Sequence, residues 1–219
     1  MKKIIISEVI REAVPEVKLG IITANVKYEK FTQALWDEIA REEERIKQIP
    51  LERVKEIPTI ASSREAYKRL GKAPARYRLS AEALHRRIIQ GKGLYQINNL
   101  VDTINLASLK TGYSIGGYDS DKIQGDTITF DMGRKDDDYT GIGRGKLNIE
   151  NLPVFRDALG PFGSPTSDSE RTMITENTNR VMWIVFNFGG HEYFDKDLEI
   201  MASLVEKYNY GKNIDIYIV

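Results

Sequence analysis

Residues 180–188, RVMWIVFNF, form an almost unbroken apolar run rich in β-branched and aromatic side chains, the composition of a strand buried in an interior. Such a strand needs covering elements, and the rest of the chain supplies both kinds. The opening residues read as a short strand followed by a helix, and IITANV within residues 19–26, with Gly20 at its start, reads as a second strand. Residues 31–48 carry helical periodicity, with Phe31, Leu35, Ile39 and Ile46 on one side and dense charge on the other. Further helices are predicted over residues 63–70, ending at Gly71, and over 80–90, with Ser80 as cap, Leu79 and Leu84 as staple, and Gly91 as stop. A fourth covers 98–110, with Leu100, Val101 and Ile104 as its apolar stripe and Gly112 closing it. Strands are predicted at 127–132 and, returning antiparallel after a loop at 135–143, at 144–150. A turn-rich loop follows at 160–172, then the buried strand, an amphipathic helix at 195–208 and a closing strand at 214–219. No linker or internal repeat interrupts this order. It predicts one α+β domain over residues 1–219, with a mixed or antiparallel sheet and packed helices, rather than a regular βαβ winding.

A chain of 219 residues, 41% hydrophobic and 29% charged, can bury a self-sufficient core. It contains no cysteine, which excludes disulfides, iron–sulfur clusters and thiolate zinc sites and is consistent with a reducing compartment. Glu8, Arg11 and Glu12 follow MKKIII too closely for a signal peptide, and no run approaches a membrane span, so a cytoplasmic location without membrane contact is expected.

Thirty-two basic and 32 acidic residues cancel, so the overall field gives no drive toward nucleic acid. The distribution is uneven, however. Between Arg64 and Lys92 nine basic residues face only Glu65 and Glu82, a local excess of +7 balanced by −7 elsewhere. A surface for a polyanion such as RNA is expected there, with Arg76, Arg78, Arg86 and Arg87 as its contacts.

Several motifs dissolve when their chemistry is checked. GIGRGK at residues 141–146 lacks phosphate-loop spacing and has Leu147 where a hydroxyl belongs, so it reads as a hairpin loop. DSDKIQG at 119–125 places Ile123 and Phe130 at calcium-ligand positions. His85 and His191 have no partners at metal-binding spacing, and His85 beside Arg86 and Arg87 reads as a surface histidine. No serine sits in a nucleophile elbow. Neither metal nor cofactor is expected, and a hydrolase would have to activate water. Two polar groupings remain. Asn98, Asp102 and Asn105 fall at i, i+4 and i+7 on one helix face. Ser167, Asp168, Ser169, Glu170 and Arg171 gather in one loop and offer hydroxyls, carboxylates and a guanidinium.

The segment INNLVDTINLASLKTGYSIGGYDSDKI, residues 97–123, resembles the INNVVDxTNYxxLExGQPxHAFDxDK signature of the tRNA-editing module of bacterial phenylalanyl-tRNA synthetase beta subunits. Shared positions include Asn98, Asn99, Val101, Asp102, Asn105, Leu109, Gly112, Asp119, Asp121 and Lys122. TENTNRVMWIVF resembles that module's later strand more loosely, and the likeness covers residues 76–188, as in a freestanding relative of the module. The resemblance implies an α+β domain with an aminoacyl-ester pocket and tRNA or aminoacyl-tRNA as partner. It places the family's pocket asparagine on Asn105, and its threonine, histidine and tyrosine-reading glutamate on Ile104, Gly116 and about Ile184. A pocket is therefore expected between the helix at 98–110 and the strand at 180–188, with Asn105 on its wall. Isoleucine at 184 would leave a tyrosine hydroxyl unpaired at a cost of about 1–3 kcal/mol, which disfavours tyrosine. Two functions stay open at this point: binding of tRNA or aminoacyl-tRNA with hydrolysis of a mischarged ester, and a non-catalytic module for a free amino acid or a partner protein. The chain carries no aminoacylation motif and is not a complete ligase by itself.

Overall fold

The computed structural model describes residues 2–219. The run at 180–188 becomes β9 (Arg180–Asn187), buried from Val181 onward. It lies inside an antiparallel sheet with β10 (Lys212–Ile218), β2 (Lys18–Asn25) and β3 (Ser114–Asp119), in the order β10-β2-β9-β3. Because side chains alternate across a strand, β9 feeds two cores. Val181, Trp183 and Val185 face helices α2 (Gln33–Lys47), α5 (Asn99–Thr111) and α6 (Phe194–Asn209). Met182, Ile184 and Phe186 face a second sheet. That sheet pairs β1 (Lys3–Ile6) in parallel with β4 (Thr127–Met132), which pairs antiparallel with β7 (Pro153–Asp157), and β7 with β8 (Gly160–Gly163). The architecture is a single mixed α+β domain of three layers: helices, sheet, sheet. Helix α1 (Glu8–Ala13) bridges β1 and β2 and buries Ile10 in the inter-sheet core. Helices α3 (Pro58–Arg69) and α4 (Ser80–Ile89) build smaller clusters at the flank.

The predicted order holds in most elements, and the departures have local causes. Phe31 lies outside α2 and is exposed, because Thr32 is extended and the helix starts at Gln33. Helix α3 begins five residues earlier than expected, at Pro58, where proline's fixed φ suits a first turn. Ser80 is not the cap of α4. Leu79 occupies that position without a side-chain bond, and the free amides of Ser80 and Ala81 donate to the Pro165 carbonyl at 2.8 Å and to Ser114 Oγ at 3.3 Å. The strand returning to β4 is β7, not residues 144–150. Within that stretch only Gly145–Lys146 (β6) is extended, pairing with β5 (Thr140–Gly141). The Ile149 to Leu152 turn instead presses on Gly133, where a Cβ would lie 2.0 Å from the Ile149 carbonyl oxygen.

Strand β3 escaped the sequence reading because its core positions are glycines. A Cβ on Gly117 would sit 2.1 Å from Ile104 Cδ1 of α5, and one on Gly116 would sit 1.9 Å from the Tyr118 hydroxyl. The space that ordinary strand residues would fill belongs to neighbouring side chains. Gly20 of β2 does the same for α6, with Leu198 Cδ2 at 2.4 Å and Phe194 Cζ at 2.8 Å from its would-be Cβ. Gly20→Ala is therefore expected to destabilise the fold by about 1–3 kcal/mol through overpacking, read as a lower urea midpoint at unchanged slope.

Candidate ligand groove at the start of helix α5

The family signature is folded mainly to knit the start of α5 to its surroundings. Asn98, extended, caps the helix by accepting from the Val101 amide at 3.0 Å. Asn99 is a buried clamp: its Nδ2 donates to the carbonyls of Lys27 and Tyr208 at 2.9 and 3.0 Å, and its Oδ1 accepts from the Glu29 amide at 2.7 Å. The Asp102 carboxylate accepts from Trp36 Nε1 at 3.0 Å and from the Ile97 amide at 3.1 Å. Asp119 accepts from Thr178 Oγ1 at 2.8 Å and from the Asp121 amide at 3.1 Å, while Lys122 Nζ donates to the Met173 carbonyl at 2.8 Å.

These ties leave a groove of about 660 Å³ at the N-terminal end of α5. Its walls are Tyr28 and Lys30 before α2, Ile97 and Asn98 at the helix cap, and the segment from Met173 to Asn177; Asp119 and Lys122 close it. Two carboxylates, Asp119 and Glu176, also line it, and Lys122 lies 3.8 Å from Asp119, so the positive end of the α5 dipole and Lys30 are what favour an anionic group there. Lys30 is exposed and has no ion-pair partner among the described residues. A larger cleft of about 760 Å³ opens between Lys2, Asp121, Arg180, Asp215 and Tyr217, and its charges are largely matched, Arg180 lying 3.5 Å from Asp121.

Where a pocket between α5 and β9 was expected, Leu100, Ile104 and Ala107 share one buried core cluster with Val181, Trp183 and Val185. Asn105 lies on the half-buried side of α5, outside the groove's lining. On the other face of the sheet, Gly116 is paired with Ile184, and the space beside them is taken by Tyr118. The Tyr118 hydroxyl lies 2.0 Å from a would-be Cβ on Gly163 and donates to Asp168 Oδ1 at 2.8 Å. Gly117 N–H donates to the other carboxylate oxygen at 3.3 Å. Burial pushes the Asp168 carboxyl up to about 7, against the lowering effect of these bonds, and drives the Tyr118 phenol well above its usual range. Burial likewise raises Asp102, to about 6.

The remaining loop residues serve the fold. Ser169 Oγ accepts from the Arg171 amide, the Ser167 carbonyl accepts from Tyr139 Oη at 2.6 Å, and Arg171 grips Asp157 with two bonds of 2.9 Å. Glu170 is exposed. His85 is a correction to the sequence reading: it is 1% exposed, on the buried face of α4 with Ala81 and Ile88, and burial lowers its pKa. His191 lies 2.8 Å from Asp197 through Nδ1. Among the described residues no three His, Cys, Asp or Glu side chains come together as a metal site. No helix among them is long and apolar enough to cross a membrane.

The basic segment is partly neutralised. Arg64 pairs with the buried Glu82 at 2.7 Å, with Arg78 farther off at 3.9 Å, and Arg69 pairs with Glu16. Arg86 donates to the Leu51 carbonyl and Arg87 to the Gly93 carbonyl. Arg87 also lies 3.7 Å over the ring of Tyr95, which is 66% exposed, while Lys72 and Arg76 flank Tyr77. Lys30, Met173 and Ile174 carried no signal in the sequence, whereas Lys122 and residues 175–177 lay within the two stretches of resemblance without being marked as site residues.

Comparison with known proteins now decides the family, since a model of the B3/4 domain matches residues 62–216. The chain belongs to the B3/4 domain family. This module is found in phenylalanyl-tRNA synthetase beta subunits. No curated protein matches the chain by sequence. Among solved structures it is similar to an N-terminal fragment of the phenylalanyl-tRNA synthetase beta subunit from Pyrococcus horikoshii, at 14% identity and a TM-score of 0.49. The similarity covers 96% of this chain and 49% of that one, so the B3/4 chain spans about half its length.

Asp102 and Asp168, the two carboxyls raised furthest, each contribute a pH dependence. Their folded pKa values exceed the ordinary 3.8, so the stability conferred by their protons is full below that value and is lost as pH rises through about 6 for Asp102 and about 7 for Asp168. Asp102→Asn and Asp168→Asn are each expected to flatten the decline between about pH 4 and pH 7. Urea midpoints across a pH series check this.

Proposed function

We propose that this B3/4 domain binds the acceptor end of a tRNA, charged or uncharged, in the groove at the start of α5. The observation that carries the reading is convergence: Asn98, Asp119 and Lys122, from both ends of the signature, meet in one groove with Lys30 at its rim. A phosphate or carboxylate would meet a helix N-terminus and Lys30 there, with Lys122 held against Asp119 beside them. The chain leading into the groove adds a track for single-stranded RNA, with Tyr95 stacked on Arg87 and Ile97 exposed, since bases stack on aromatic and guanidinium planes. Arg76 and Arg78, just before α4, and Arg86 within it extend the positive surface. Such a ligand belongs to the cytoplasm.

Hydrolytic editing, as the second half of this proposal, would draw on the substrate's own hydroxyl. The carboxyls held near neutrality are engaged elsewhere, Asp168 by Tyr118 and Asp102 by Trp36 and Ile97. A non-catalytic module that holds a free amino acid is the second reading, favoured by the way Tyr118 fills the space beside Gly116 and Ile184.

A panel of correctly charged and mischarged tRNAs, scored for binding and deacylation in the same samples, separates these readings. Binding with turnover supports editing, and binding alone supports a carrier or sensor. Affinity for free amino acids without any for tRNA supports the second reading. Lys30→Glu is expected to weaken tRNA of any sequence several-fold and to reduce the salt slope of binding by about one, because one phosphate contact is lost. An unchanged slope would remove Lys30 from the interface.

A further inference from the structure

We propose that two copies of this chain pair edge to edge through β10, continuing the sheet β10-β2-β9-β3 across a twofold axis at Ile216. Among the described residues β10 pairs only with β2, so its other edge is open. The direction of its backbone groups follows from the strand's end. Val219 and Leu19 exchange both hydrogen bonds, at 2.8 and 2.9 Å. In an antiparallel ladder such pairs recur at every second residue, so Tyr217 and Asp215 bond to β2 while Ile216 and Ile218 turn their N–H and C=O outward.

The same strand is self-complementary in its side chains. Ile214, Ile216 and Ile218 share the helix-facing side, where Ile216 and Ile218 stand opposite Ile22 and Gly20 and are 41% and 40% exposed. An antiparallel pair centred on Ile216 sets Ile216 against Ile216 of the second copy and Ile214 against Ile218. On the other side it sets Asp215 against Tyr217, so no like charges oppose each other. The residues that meet across the axis are also those whose backbone groups face outward, so bonds and side chains select one register. The usual guards of an edge are few along its second half: residues 215–218 hold no proline and one charge, Asp215, and the bulge between Lys212 and Asp215 reaches only the Ile214 end of the paired segment. A second copy is the occupant that this symmetry names. A single strand buries less than a standard interface, so the pairing is reversible and concentration-dependent.

Sedimentation velocity on the full chain over a concentration series is expected to show monomer passing to dimer. Ile216→Pro removes an outward N–H while leaving the Asp215 and Tyr217 bonds to β2, and Ile216→Lys places two like charges on the axis; both should abolish the dimer with unchanged circular dichroism. A cross-link reads the register without depending on those variants. The chain has no cysteine, so Ile216→Cys should form a disulfide-linked dimer under mild oxidation, whereas Asp215→Cys, facing Tyr217 rather than itself, should not. A parent chain that stays monomeric at every concentration overturns the proposal. So does a dimer that survives both substitutions, association beyond two copies, or cross-linking as efficient at residue 215 as at 216.

Discussion

The structure depends on the burial of both faces of β9. A strand with apolar residues on every position from Val181 to Phe186 cannot lie on a surface, and each face demands its own layer. Trp183 and its neighbours draw in α2, α5 and α6, while Ile184 and Phe186 draw in the second sheet. At about 25 cal/mol per Å² of apolar surface removed from water, this run outweighs any single polar contact in the molecule. The glycines of β2 and β3 are its consequence, because close layers leave no room for side chains at Gly20, Gly116 and Gly117.

That close packing also decides where a ligand can go. Space between α5 and β3 is consumed by Ile104 against Gly117, and space between the sheets by Tyr118 against Gly116 and Gly163. What remains open are the ends of the layers, where loops meet helix termini. The groove beside Asn98 lies at such an end, and its polar atoms are held by the buried clamp of Asn99 and by Asp119. The segment at 97–123 is thus a scaffold for the groove more than a set of reactive groups.

Much of the fold was legible because hydrophobic period and stop signals are local. Helix α5 ends at Gly112 in a left-handed conformation, as its sequence announced, and β4 and β9 lie within a residue of expectation. The failures are tertiary. Gly116 and Gly117 conceal a strand because the side chains that fill it come from elsewhere. His85 looked exposed beside two arginines, yet the helix turns it inward. The candidate site was legible as a segment, residues 97–123, but not as a place. Asn105 has the residue type of a ligand contact but does not line this groove, while Lys30 and the segment from Met173 to Asn177 reach the groove only through the chain's return.

The central claim is that a tRNA acceptor end occupies the groove at the start of α5. Amide chemical shifts, followed while an acceptor-stem minihelix with its single-stranded 3′ end is added, test it most directly. The account predicts perturbations concentrated on Lys30, Ile97 to Val101, Lys122 and Ile174 to Asn177, with a second set at Arg87 and Tyr95. Perturbations confined to the cleft around Arg180 and Tyr217, or no saturable change at low salt, would contradict it.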